Sequence, residues 1–178
     1  MLSNEIFVSL ITSDFTWRRL LMKQKFHWKA LIISLIIPLA VGGLSALLTK
    51  NYMNLYETIT QPPFAPASWL FPLVWTILYI LMGISSYLIV ISDSISKTEA
   101  LTLYGISLVL NFIWSPVFFI GQNYLIAFII LVILWYTVFQ MIQAFYEIRP
   151  LSAILQIPYL IWLTFAGYLN LAIYFLNR

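Results

Sequence analysis

The residues of this chain that could do chemistry are aromatic and amide side chains at helical spacing. Trp75 and Tyr79 are i,i+4 and share one helix face. Asn111, Trp114, Ser115 and Phe118 fall at i, i+3, i+4 and i+7, which is a single stripe. Trp162, Phe165, Ala166 and Asn170 make another, just after Pro158-Tyr159. Stripes of this kind can wall a pocket for a flat, apolar ligand, with Asn111 supplying a donor and an acceptor. They serve equally as core packing, with tryptophans forming interfacial belts and asparagines bonding between helices. Trp17, Trp28, Trp69 and Trp135 suit a belt; Trp114 and Trp162 suit it less, because each lies several residues from its helix end. On the residues alone the two readings are level.

Conventional catalysis has little to work with. Nine Lys and Arg and six Asp and Glu all lie outside four long uncharged stretches, and the single histidine, His27, precedes them. No Ser–His pair and no pair of carboxylates can be built inside such stretches. With no cysteine, disulfides, thiolate chemistry and cysteine metal sites are excluded. A proton or ion path would leave a buried ionisable group behind. The expectation is therefore no catalytic residue of the usual kind, no metal ligand and no required cofactor.

The uncharged stretches are residues 30–49, 58–92, 100–146 and 150–177. A membrane-crossing helix needs about 20 mostly apolar residues, so three have room for one span and the third has room for two. The composition agrees: 62% of residues are hydrophobic and 8% charged, against roughly 25% charged in a soluble domain. The fold class expected is an all-α integral membrane protein, a single bundle of five transmembrane helices. The spans are placed at about 30–48, 70–92, 100–120, 124–146 and 151–176, and residues 30–178 form the membrane domain. Residues 49–69 are a loop whose centre, Gln61-Pro62-Pro63-Phe64-Ala65-Pro66, cannot be helix, because prolines remove donors and force extended neighbours. Asp93 to Glu99 is a polar connection, Gly121-Gln122-Asn123 a hairpin turn, and Pro72 sits in the first turn of its span.

Seven charged residues, among them Arg18, Arg19, Lys23, Lys25 and Lys29, lie before residue 30. The net charge of +3 is thus a topology signal, with no nucleic-acid partner implied. Lys and Arg in the short loops put the N-terminus in the cytoplasm, with seven on that side and only Lys50 and Arg178 on the other. The tail 1–29, basic and aromatic, is expected to lie along an anionic membrane interface. Gly42-x-x-x-Ala46 is a weak small-residue form of the Gly-x-x-x-Gly dimer signal.

Four motifs, in order and on the appropriate spans, carry a family resemblance. They are Tyr56 followed by the proline-rich loop; Phe71-Pro72-Leu73-Val74-Trp75-Thr76-Ile77-Leu78-Tyr79; Leu110-Asn111-Phe112-Ile113-Trp114-Ser115-Pro116; and Pro158-Tyr159-Leu160-Ile161-Trp162 with Phe165-Ala166 and Leu169-Asn170. Over about residues 35–178 the chain resembles the TspO/MBR family, the tryptophan-rich sensory proteins related to the translocator protein or peripheral benzodiazepine receptor. It departs from the family pattern at Leu55, Gln61, Phe64 and Ala67, all in the loop.

The resemblance implies a multi-pass receptor or sensor in a bacterial cell membrane, often a homodimer, with a pocket lidded by the first loop. The ligands implied are porphyrins and other tetrapyrroles, isoquinoline- and benzodiazepine-type molecules and, in animals, sterol. By position the pocket residues would be Tyr56, Pro62, Pro66, Trp75, Tyr79, Asn111, Trp114, Phe118, Trp162, Phe165 and Ala166. Lys50 is added here as a rim residue for a porphyrin propionate. Haem held through an axial ligand is disfavoured, because no His or Cys lies in a span; a metal-free porphyrin, or haem held by its face and propionates, fits better. Leu171 to Arg178 satisfies a loose sterol-recognition pattern, although Tyr and Arg there also anchor a helix end. Two alternatives stay open: transport of porphyrins or other apolar solutes, and light-dependent porphyrin degradation using Trp75 and Trp162.

Overall fold

A computed structural model describes residues 26–52 and 55–178. The tail, with the interfacial role expected for it, lies outside the described residues as far as residue 25. The rest is helical, with no strand among the described residues. Five long helices are α1 (Trp28–Thr49), α3 (Leu70–Val90), α4 (Lys97–Phe119), α5 (Tyr124–Ile148) and α6 (Pro150–Leu176). A 3-10 turn at Lys50–Tyr52 and the four-residue α2 (Leu55–Thr58) lie in the loop after α1. Each long helix is long and apolar enough to cross a membrane. Ile32, Ile36, Val132, Ile133 and Ile161 are exposed on the bundle, a surface suited to hydrocarbon and not to water.

The helix ends follow local chemistry. α4 starts at Lys97, three residues before the expected limit, because charged residues can extend a helix beyond the apolar layer. Glu99 sits in its first turn, where the helix dipole favours an acid. Lys97 Nζ donates to the Val90 and Ser92 carbonyls, which closes the end of α3. The α4–α5 hairpin turns through Gln122, whose φ of 48° is left-handed. Asn123 then caps α5 by accepting from Ile126 N at 3.1 Å. Arg149 is extended before Pro150, which opens α6 from its first position.

Around the bundle the order of neighbours is α1, α3, α6, α5, α4. The backbones of α1 and α3 meet at Gly83, where a Cβ would lie 2.9 Å from Leu35 Cα and from Ser34 O. The core is centred on Met82, Leu134, Val138, Met141 and Phe145, all fully buried. This packed half is the base of the bundle, at the start of α1; the other half, under the loop after α1, is hollow.

Candidate functional site

A cavity of about 320 Å³ lies inside the loop half, walled by α1, α3, α4 and α6. α3 contributes Phe71, Pro72, Trp75, Thr76 and Tyr79, and α4 contributes Asn111, Trp114, Ser115, Phe118 and Phe119. These are the residues that helical spacing puts on one face of each helix. Trp75 stacks on Tyr79 with ring centres 5.4 Å apart, and Trp114 stacks on Phe118 at 5.1 Å. Both pairs are offset-stacked aromatics of the kind that form a rigid, flat wall. At the base of the cavity Asn111 Nδ2 donates to Tyr79 OH at 3.4 Å.

Asn170 has a different task. Its Oδ1 accepts from Trp114 Nε1 at 3.0 Å, and its Nδ2 donates to the Tyr124 carbonyl at 2.8 Å. Both ends of this buried amide are engaged, so it fixes the Trp114 indole and ties α6 to α4 and α5. Ser45 is the opposite case. It lines the cavity, but its hydroxyl is buried with no hydrogen-bond partner among the described residues.

α1 supplies a whole wall: Leu39, Gly42, Gly43, Ser45, Ala46 and Thr49. Gly42 faces Tyr79, and a Cβ there would overlap the Tyr79 ring. The Gly42/Ala46 pair, read in sequence as a weak dimer signal, is therefore used within the chain. Leu39, Gly43 and Ala46 on α1 and Pro72 and Thr76 on α3 line the cavity and are exposed as well. The cavity is thus open along the α1/α3 seam.

The loop closes the other end. Tyr56 is buried in the cavity wall, edge-on to Phe71 at 5.0 Å. Burial raises its hydroxyl pKa above the ordinary tyrosine value of 10.0. Its OH donates to the Pro66 carbonyl at 3.3 Å, and Gln61 Nε2 donates to the Tyr56 carbonyl. Two further clasps hold the loop to α6. Tyr168 OH donates to the Pro63 carbonyl at 2.9 Å, and Asn177 makes a pair of hydrogen bonds with the Thr60 backbone, its Oδ1 accepting from Thr60 N at 2.9 Å and its Nδ2 donating to Thr60 O at 3.0 Å. Phe64, at the tip, is exposed with a left-handed φ of 65°.

Of the residues named from sequence, Tyr56, Trp75, Tyr79, Asn111, Trp114, Phe118 and Ala166 stand together on the cavity wall. Pro62, Pro66, Trp162, Phe165 and Lys50 do not. Pro62 and Pro66 shape the loop, Pro62 buried within it and Pro66 holding Tyr56. Trp162 packs edge-on against Phe71 at 5.9 Å, and Phe71 holds the cavity side. Phe165 is one residue, about 100° of helix rotation, from Ala166, which turns it away. Together Trp162 and Phe165 line a separate groove with Val74, Leu78 and Pro158. Lys50 is exposed, one residue beyond the cavity-lining Thr49. In the sterol-like pattern at the C-terminus, Arg178 lies over the Phe175 ring at 5.1 Å.

The family model of the TspO/MBR family matches residues 34–176. The chain belongs to this family. It is 36% identical over 159 residues to the tryptophan-rich protein TspO of Chlorobaculum tepidum, an alignment covering 88% of this chain and 99% of that one. It is 33% identical over 124 residues to the protein CrtK of Rhodobacter capsulatus, covering 68% and 78%. With the translocator protein of Bos taurus the identity is 32% over 147 residues, covering 80% and 87%. This TspO/MBR chain is accordingly an integral, multi-pass membrane protein whose cavity lies within the matched region.

Proposed function

We propose that this TspO/MBR protein is a membrane receptor that takes flat, mostly apolar aromatic ligands into the cavity beneath its first loop. The observation that carries this reading is the wall itself: two stacked aromatic pairs, Trp75–Tyr79 and Trp114–Phe118, over an amide floor at Asn111. Apolar walls with a few placed polar groups hold a flat ligand and fix its orientation. The ligand classes proposed are tetrapyrroles and isoquinoline- or benzodiazepine-type molecules, the classes that the family resemblance implies. The cavity of about 320 Å³ is at the low end of the ~300–1,000 Å³ usual for ligand pockets. A two- or three-ring ligand fits inside it. A tetrapyrrole would keep one edge in the α1/α3 seam, and Lys50, exposed beside the cavity-lining Thr49, is the proposed partner of a propionate there.

Binding is favoured over passage through the bundle, because Gly42 meets Tyr79 at the cavity wall and, further along α3, Gly83 meets the α1 backbone. Photochemistry shared by Trp75 and Trp162 is disfavoured, because only Trp75 is on the cavity wall. A cytoplasmic base is part of the proposal, supported by Lys29, Lys97 and Arg149 at that end. So is a homodimer, whose mass light scattering of the purified protein would read.

Titration with protoporphyrin, followed by tryptophan fluorescence, tests the site. Trp75→Ala is expected to weaken binding about tenfold, the loss of one stacked aromatic contact and its buried area. Trp162→Ala should stay within about threefold of the parent, a difference of ~0.7 kcal/mol or less. Equal losses in the two variants would sink the assignment. The porphyrin diester, lacking free propionates, is the arm that reads Lys50.

A further inference from the structure

Polar side chains on the outer surface of the spans are returned to their own chain at several points. The exposed hydroxyls of Thr76, Thr102 and Thr164 each donate to the carbonyl four residues back, at 2.7, 2.9 and 2.9 Å. The Trp135 indole donates to Thr164 Oγ1 at 2.9 Å. A pair on α5 differs. Tyr136 and Gln140 are i and i+4 on its outward face, both exposed, and Gln140 Nε2 donates to Tyr136 OH at 3.5 Å. Among the described residues, Gln140 Oε1 and the Tyr136 hydroxyl proton have no partner. Tyr136 is the thirteenth of the 25 residues of α5, which puts it ~18 Å from either end at ~1.5 Å per residue. Gln140 lies about 12 Å from the Ile148 end on the same rise. A hydrocarbon core ~30 Å thick leaves only a few Å of such a helix outside it at each end, so both side chains lie within the apolar layer. Helical side chains lean towards the N-terminus, and the bond to Tyr136 shows Gln140 leaning that way, towards mid-membrane. Neither residue sits where an interfacial anchor belongs, and lipid chains offer them neither donor nor acceptor.

The surface around this pair is shaped for another helix. Leu125, Ile129, Val132, Tyr136, Phe139 and Gln143 follow one another at steps of four, three, four, three and four residues, and all are exposed. That is the spacing of a seam along which two helices cross at a shallow left-handed angle. Phe139 is held in place by stacking on Trp135 at 5.7 Å. Two copies inserted in the same direction are related by a two-fold axis along the membrane normal, which sets each residue opposite its own equivalent at equal depth. An amide carries both a donor and an acceptor, so it is complementary to itself across such an axis. We propose that the outward seam of α5 is the interface with a second copy of this chain, and that Gln140 and Tyr136 of the two copies close a hydrogen-bonded cluster at its centre. This rests on the homodimer proposed above and adds the face that forms it. The cavity is walled by α1, α3, α4 and α6, so pairing through α5 leaves the α1/α3 opening of each copy facing the bilayer.

The chain has no cysteine, so single cysteines report contacts between copies of the full chain in its membrane. On oxidation, Phe139→Cys and Gln143→Cys are expected to give disulfide-linked dimers, because a close seam brings equivalent Cβ atoms within bonding reach. Ile106→Cys, exposed on α4, is expected to stay monomeric on a denaturing gel. Gln140→Leu changes a surface side chain and leaves the packed core alone. It should raise the dimer dissociation constant about tenfold, the loss of two symmetric hydrogen bonds of the size found between membrane helices. Light scattering over a dilution series in one detergent reads that shift. A dimer that crosslinks through Ile106→Cys and not along α5 would leave the homodimer standing and refute this interface. A monomer by light scattering, with no crosslink at any of the three positions, would refute both. Unchanged dissociation in Gln140→Leu would refute the polar pair as the centre of the seam.

Discussion

Gly42 and Gly43 are adjacent on α1, and the structure assigns them opposite responses to one methyl group. At Gly42 a Cβ overlaps the Tyr79 ring, whereas at Gly43 it meets nothing within 4 Å. Tyr79 has little room to yield, since it is buried, stacked on Trp75 and bonded to Asn111. Forcing an extra carbon into such packing costs about 1–3 kcal/mol. Replacing glycine by alanine inside a helix also favours the helix by roughly 0.8–1.0 kcal/mol. That gain is common to both positions, so it cancels in the difference between Gly42→Ala and Gly43→Ala. What remains is the Tyr79 overlap, about 1–3 kcal/mol. At roughly 2–4 °C per kcal/mol for a chain of this size, the two variants should differ by about 2–12 °C in apparent Tm. Thermal unfolding in one detergent, monitored by circular dichroism, reads this directly. Protoporphyrin affinity should fall in Gly42→Ala, because Tyr79 forms part of the cavity wall, and hold in Gly43→Ala. In a double-mutant cycle, Tyr79→Leu should remove most of the Gly42→Ala penalty. Equal Tm values for the two alanine variants would refute the α1–α3 geometry and, with it, the position of the cavity.

Two further outcomes concern the lid. Asn177→Ala removes both bonds to Thr60; exposed bonds of this kind contribute ~0.5–1.5 kcal/mol together, so ligand dissociation should accelerate roughly two- to tenfold with little change in Tm. Stopped-flow fluorescence reads that rate, and an unchanged rate would mean that the clasp does not hold the lid. Tyr56 supplies a pH dependence. Burial favours its neutral form, so its contribution is fully present below the ordinary value of 10.0 and is lost as pH rises through the raised folded-state value. The apparent Tm should be flat with respect to this group up to about pH 9.5, fall above about pH 10, and lose that alkaline component in Tyr56→Phe, as thermal unfolding across pH would read.

The sequence by itself determined the membrane class, the number of spans and the two aromatic faces on α3 and α4. The reason is that charge is excluded from hydrocarbon, so the uncharged stretches mark the spans. Proline, tryptophan and asparagine then punctuate them at spacings that helical geometry converts into faces. Several things were decided only by tertiary structure. α1 contributes a full cavity wall although it carries no aromatic stripe. In a membrane the lipid side and the packed side of a helix are both apolar, so the hydrophobic pattern does not say which way Gly42 or Ser45 points. Trp162 and Ala166 are one helical turn apart, yet they serve different spaces, because Phe71 of another helix stands between Trp162 and the cavity. The clasp between Thr60 and Asn177 joins residues 117 positions apart. Helical periodicity acts over a few turns of one chain segment. Which faces meet is set by how whole helices pack, and that is where this cavity and its lid were made.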